Sequence, residues 1–149
     1  MRQTKGFTIM ELVVVIAVLG ILAAIAVPGF VSQMPRYRLN GAARQAMGNL
    51  MGARMKAVNL NRRVKVFFFS SHEYRICDDA DKNGTVVDGE GDVETKDIQR
   101  EYHDVTISST NNPIFFPRGT ATNLATVTLT NSSGSKNITI SIAGRVRIN

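Results

Sequence analysis

Apolar positions crowd one end of the chain. From Leu12 to Val27, sixteen consecutive residues carry no polar side chain, and extended back to Phe7 the stretch covers 21 residues interrupted only by Thr8 and Glu11. As a helix it would be about 31 Å long, close to the roughly 30 Å hydrocarbon thickness of a bilayer. From Arg36 to Leu60 the pattern changes. Leu39, Ala43, Ala46, Leu50, Ala53 and Ala57 recur at spacings of 4, 3, 4, 3 and 4, one stripe of an amphipathic helix. Alanine and glycine dominate that stripe, so its partner approaches closely, and a β-sheet laid across the helix is expected. Pro28-Gly29 and Pro35 lie between the two parts. A proline removes one helical hydrogen bond, so the sequence predicts a kink or break there.

Beyond Leu60 the period falls to two. Val64–Ser70, Glu73–Cys77, Val105–Ser109, Ala125–Thr130, Asn137–Ile142 and Arg145–Ile148 read as short strands. Asn131-Ser132-Ser133-Gly134 is a turn joining two of them into a hairpin. Helix first and antiparallel strands after gives an α+β fold. The expected organisation is residues 1–6, a short basic leader; 7–29, an apolar membrane helix; 30–60, an amphipathic helix; and 61–149, a β-rich globular region.

Composition removes several classes of function. Among 149 residues there is one cysteine, Cys77, no tryptophan and only two histidines, His72 and His103. A disulfide framework and a multi-cysteine zinc site are excluded. No Ser-based, metal-helix or phosphate-loop motif is present, so the reading is non-enzymatic, without a cofactor, and Cys77 is expected as a small core residue on a strand.

A soluble core helix cannot explain the apolar run, because so short a chain has too little core to surround it. A cleaved secretory signal is the closer rival, with Arg2 and Lys5 as its basic region and Ala24-Ile25-Ala26 as its cleavage site. The run is longer than the usual 7–15-residue apolar region, and Glu11 sits where such a segment should be uncharged. That carboxylate is expensive in lipid. If the chain were cut after Gly6, however, Phe7 would carry a free amine one turn before Glu11. Glu11 would then stand in the helix's first turn, where the dipole favours negative charge.

Lys5-Gly6-Phe7-Thr8-Ile9-Met10-Glu11-Leu12, the apolar run and Val27-Pro28-Gly29-Phe30 resemble the leader of type IV pilins and type II secretion pseudopilins. The resemblance implies cleavage between Gly6 and Phe7 by a prepilin peptidase, N-methylation of Phe7, and neutralisation of a neighbour's Phe7 amine by Glu11 during assembly. It also implies a bacterial inner-membrane protein with a cytoplasmic N-terminus and a periplasmic C-terminal domain. Charge counting does not decide that orientation, since Arg2 and Lys5 on one side face Arg36, Arg38 and Arg44 on the other. The implied partners are other pilins in a filament, an inner-membrane assembly platform and the lipid bilayer. The stretch Gly41–Val66, Phe115-Phe116-Pro117-Arg118-Gly119 and the terminal strand resemble, more loosely, the branch containing the pseudopilin GspH and the pilus protein FimT.

Two motifs carry candidate chemistry. Asp79–Glu90 fits the calcium-loop pattern D-x-[DN]-x-[DN]-G-x5-E, with Asp79, Asp81, Asn83 and Glu90 as oxygen donors and Gly84 at the sharp turn. Without flanking helices it reads first as a solvated turn, and no metal site is favoured. In a C-terminal strand, Arg145 and Arg147 would share one face, with guanidiniums about 7 Å apart, the spacing of successive phosphates on one nucleic-acid strand. An edge strand kept soluble by charge explains the same residues. Gly144-Arg145-Val146-Arg147 also resembles the GRxR motif with which FimT-like proteins bind DNA.

Charge is segregated as well. Arg36 to Lys65 holds eight basic and no acidic residues, whereas 73–104 holds eleven acidic and four basic. The basic helix can be a solvated or lipid-facing surface, or it can attract the acidic segment within or between subunits.

Overall fold

The computed structural model describes residues 6–149; the basic leader, Met1–Lys5, lies outside the described residues. The chain divides into two compact units, Met1–Met34 and Pro35–Asn149.

Helix α1 spans Ile9–Leu60. Its backbone stays helical through Pro28 and Pro35, so of the kink or break expected there the break is absent. Each proline removes a single donor, and the flanking hydrogen bonds carry the helix past it. The start is a capping box. Thr8 Oγ1 accepts from the Glu11 N–H at 3.2 Å, and Glu11 Oε2 accepts from the Thr8 N–H at 2.9 Å. At the other end Asn61 adopts φ 49°, Asn61 N–H bonds the Val58 carbonyl, and Arg62 N–H bonds the Ala57 carbonyl. This paired closure stops the helix in one residue and delivers Arg62 and Arg63 straight into the first strand.

Nine strands follow: β1 Val64–Phe68, β2 Glu73–Asp78, β3 Glu94–Asp97, β4 Thr106–Ser109, β5 Ile114–Phe115, β6 Ala121–Thr122, β7 Thr126–Asn131, β8 Gly134–Ile140 and β9 Val146–Ile148. They form two sheets, not one, in the orders β3-β2-β1-β5-β6 and β4-β7-β8-β9, and every pairing is antiparallel. The predicted hairpin is β7–β8, closed by Ser132-Ser133 between Asn131 and Gly134. Arg145 precedes β9 and is not part of it, because Ser141-Ile142-Ala143-Gly144 turns the chain just before the strand.

In the Pro35–Asn149 unit, the sheets bury Leu39, Ala42, Ala43, Ala46, Leu50, Ala53 and Ala57 of the helix. The predicted stripe is thus the buried face, widened by Ala42. Val64, Val66, Tyr74, Phe115, Val127, Leu129 and Ile138 pack over it, all at most 1% exposed. Close approach is literal at Gly41, where a β-carbon would lie 2.7 Å from the Tyr102 ring.

The Met1–Met34 unit is the reverse. Its large apolar side chains from Phe7 to Val31 are exposed, and an 18-residue window of the helix has mean hydropathy 2.9 with none of it buried. By length and composition such a helix is able to cross a membrane.

Candidate functional site

Glu11 is locally satisfied. Its Oε2 takes both the Thr8 backbone N–H and the Thr8 hydroxyl, the latter at 3.0 Å, while the carboxylate itself stays exposed. Thr8 is the residue the sequence reading missed; the spacing Thr8-x-x-Glu11 ahead of an apolar run was its signal. Gly6 and Phe7 precede the helix and are exposed.

The C-terminal candidates meet a second glycine turn. Gly144 has φ +70°, and a β-carbon there would sit 1.9 Å from the Gly119 carbonyl oxygen. Arg54, from the helix, donates its Nε–H to that same carbonyl at 2.7 Å. Ala121 N–H bonds the Ile142 carbonyl at 2.9 Å and ties the two turns together. Arg118-Gly119 and Gly144-Arg145 are therefore neighbours. Arg145, just before β9, and Arg147 within it are exposed, whereas Val146 between them is buried. Beside Gly119 a cleft of about 650 Å³ is lined by the basic Arg62, Arg63, Lys82 and Arg118 and by the acidic Asp79, with Phe116 under the Arg63 guanidinium at 5.2 Å.

The loop from β2 to β3 is built around two adjacent aspartates that face different partners. Asp78 is 1% exposed. Its Oδ1 accepts the Asp92 N–H at 2.8 Å and lies 3.5 Å from Lys56 Nζ, and its Oδ2 meets Arg62 at 3.3 Å. Burial pushes this carboxyl up, but the Asp92 amide, Arg62 and Lys56 outweigh it and hold Asp78 below the ordinary carboxylate value. Asp79, 4% exposed, turns the other way, and its Oδ2 accepts the Gly84 N–H at 3.0 Å. One oxygen each of Asp79, Asp81 and Glu90 lies within 4.8 Å of the others. Asn83 joins them through its side-chain N–H to Asp81 Oδ2 at 2.7 Å. The three carboxylates are thus brought together, and Asn83 lies beside them with its Oδ1 accepting the Thr85 N–H at 2.7 Å.

The basic helix finds acidic partners inside the chain. Lys56 meets Asp92 at 3.0 Å and Glu94 at 3.8 Å besides Asp78, and Arg38 meets Asp104 at 2.9 Å. Asn131, at the β7–β8 turn, donates to both the Pro35 carbonyl and Asp104. The acidic segment is thereby fixed to the helix by charge as well as by burial. Cys77 is fully buried on β2, as expected for a core residue.

Comparison with known proteins places this arrangement. The profile of type II transport protein GspH matches residues 42–144, and the prokaryotic N-terminal methylation motif matches residues 1–27. Fimbrial protein EcpB of Eikenella corrodens is 50% identical over 40 residues, which make up 27% of this chain and 25% of that protein. The chain thus spans only about a quarter of that relative's length. Pilin-like protein PilA1 of Thermus thermophilus is 29% identical over 97% of each chain. In fold, the chain is similar to the type IV minor pilin FimU of Pseudomonas aeruginosa, with TM-score 0.59 and 19% identity, covering 76% of this chain and 90% of that one. It is likewise similar to the minor pseudopilin EpsH of the Vibrio cholerae type 2 secretion system, with TM-score 0.57 and 10% identity over 75% and 96% of the two chains. With its matched region covering most of the globular unit and a methylation motif at its start, the chain belongs to the type II transport protein GspH family of pilin-like proteins.

Proposed function

We propose that this protein is a structural subunit of a type IV pilus or a type II secretion pseudopilus. It enters the inner membrane as a single-span precursor with its N-terminus in the cytoplasm. A prepilin peptidase cuts between Gly6 and Phe7, Phe7 is N-methylated, and the subunit joins a filament with other pilins on an inner-membrane platform. The observation that carries this reading is the pairing of an uncovered apolar helix with a capped carboxylate at its first turn. Both local bonds to Glu11 fall on Oε2, which leaves Oε1 for the Phe7 ammonium of an adjacent subunit.

Mass spectrometry of the N-terminus of the membrane-purified protein tests it directly. The expected species begins with N-methyl-Phe7. A mature chain beginning with Met1, or beyond Ala26, would remove the amine that Glu11 needs and with it the assembly step. Glu11→Ala should be processed normally yet be lost from sheared filaments.

A second reading, DNA binding of the FimT kind through Gly144, Arg145 and Arg147, gains support from the basic cleft beside Gly119 and the adjacency of Arg118 to that turn. Two phosphate contacts give a log–log salt slope of roughly −1.4 to −1.8, so single subunits bind weakly and a filament would supply avidity. Replacing Arg145 and Arg147 with Gln should abolish DNA retention with assembly intact; unchanged retention removes this role.

A further inference from the structure

The loop Asp79–Glu90 has the residue types and the spacing of an oxygen cage, and its folded geometry fits one ion. Calcium holds its ligands at about 2.3–2.6 Å, so two ligands of one ion are never more than about 5 Å apart. Oxygens of Asp79, Asp81 and Glu90 satisfy that limit mutually, at 4.8 Å or less. Clustered carboxylates alone would mean little, since Asp and Asn collect in turns for their local hydrogen bonds.

The independent observation is Asp79 Oδ1. It is buried and has no hydrogen-bond partner, and Asp79 takes part in no ion pair among the described residues. The comparison with Asp78 is direct. That neighbour is equally buried, yet both its oxygens are engaged by an N–H or a cation. A buried anionic oxygen is costly unless it is paired or coordinates a metal. Asp79 Oδ1 has neither partner among the described residues, and it belongs to the residue that opens the loop.

We propose that residues 79–90 bind a calcium ion, with Asp79, Asp81, Asn83 and Glu90 as side-chain ligands and the Thr85 carbonyl as the backbone ligand that seventh-position residues of such loops supply. The rest of the loop is arranged for this. Gly84, at φ +89°, makes the sharp reversal, and its N–H orients Asp79 through Oδ2. Glu90 spans the loop, accepting from Ala80 N–H at 3.1 Å and Val87 N–H at 2.9 Å, and each of its oxygens keeps a lone pair. Val86 is buried and pins the loop's middle to the core. An all-oxygen donor set in an irregular loop selects calcium over zinc, which favours nitrogen and sulfur. It also disfavours magnesium, which demands near-ideal octahedral geometry. Strands β2 and β3, not helices, flank the loop, and Arg63 donates to the Gly84 carbonyl beside it. Affinity therefore belongs at the weak end of such loops, about 10⁻⁴–10⁻³ M.

Thermal unfolding of the full-length protein in detergent, stripped with chelator and followed by circular dichroism, tests the proposal. Calcium chloride up to 10 mM should raise Tm by several degrees, with a midpoint in the stated range and magnesium at least several-fold less effective. Asp81→Asn and Glu90→Gln should each shift that midpoint upward about tenfold or more. Because Asp81 is exposed, its variant folds without calcium and keeps the test clean. Three results overturn the site: no shift in the wild type by 10 mM, an equal shift with magnesium, or a shift that survives both substitutions.

Discussion

The Gly119 carbonyl oxygen lies 1.9 Å from where a β-carbon on residue 144 would be, and Arg54 Nε lies 2.9 Å from the same point. The smallness of Gly144 is thus required by the packing of its own chain, whatever its neighbours Arg145 and Arg147 contact. Gly144→Ala combines this overlap with a positive φ, and should destabilise the globular unit by about 1–3 kcal/mol. Arg145→Gln, on the exposed surface, should stay within about 0.5 kcal/mol of wild type. Chemical denaturation of the two variants side by side checks this, and it determines which of them can be used to probe DNA.

The alanine face of the helix predicts an asymmetry. Ala46 is 1% exposed and faces the sheets, so Ala46→Leu should cost about 1–3 kcal/mol through overpacking. Leu50, also 1% exposed, is with Leu39 one of the two large side chains buried on that face, and Leu50→Ala should cost about 2–5 kcal/mol. Equilibrium unfolding in urea measures both.

Lys56 is the cation on which Asp78, Asp92 and Glu94 converge. Lys56→Met keeps the aliphatic length but leaves buried Asp78 with Arg62 and one amide. A loss of about 1–3 kcal/mol is expected. Arg38→Gln breaks a pair whose side chains are 29% and 23% exposed, and should cost under about 1 kcal/mol. Added salt should weaken the Lys56–Asp92 contact first, because Asp92 is 76% exposed, whereas Arg38 Nε and Asp104 Oδ1 are buried where they meet.

Alkaline pH should unfold the protein from two directions. Burial raises the Tyr74 hydroxyl above its ordinary 10.0, against the opposing hydrogen bond from Asn49 at 2.7 Å. Burial pulls Lys56 down, but Asp92, Asp78 and Glu94 together hold it above its ordinary 10.5. Both groups bind their proton more tightly folded than unfolded. Their contribution is complete below the unfolded values and is lost as pH rises through the folded ones. Tm should begin to fall near pH 10, and Tyr74→Phe should flatten the early part of that fall. A pH series of thermal melts measures it.

The helix face was legible because a 3.6-residue period survives in alanine and leucine positions from 39 to 57. Strands β1, β2, β4, β7, β8 and β9 were legible because apolar and polar residues alternate along them. Strand β3 was not, for Glu94-Thr95-Lys96-Asp97 is a charged edge held by pairing to β2, with no apolar face of its own. The two-residue strands β5 and β6 are too short to show a period. Division into two sheets was also hidden. It depends on β5 returning to β1 across nearly fifty residues, a pairing no local pattern encodes. At the helix start, Glu11 was read for its charge, while its reciprocal bond with Thr8 was written in the spacing and overlooked. The loop donors were visible as a motif, but only the folded chain distinguishes Asp79, with an oxygen left over, from Asp78, which has none.

Five of the seven buried helix residues are alanines. Alanine has no rotamers to freeze, so the seam between helix and sheets forms without loss of side-chain freedom. It also leaves evolution one direction of travel, since nearly every replacement adds bulk. A relative that enlarges position 46 or 53 must shrink a strand residue opposite, and such paired substitutions across the seam are the trace this packing should leave among its homologues.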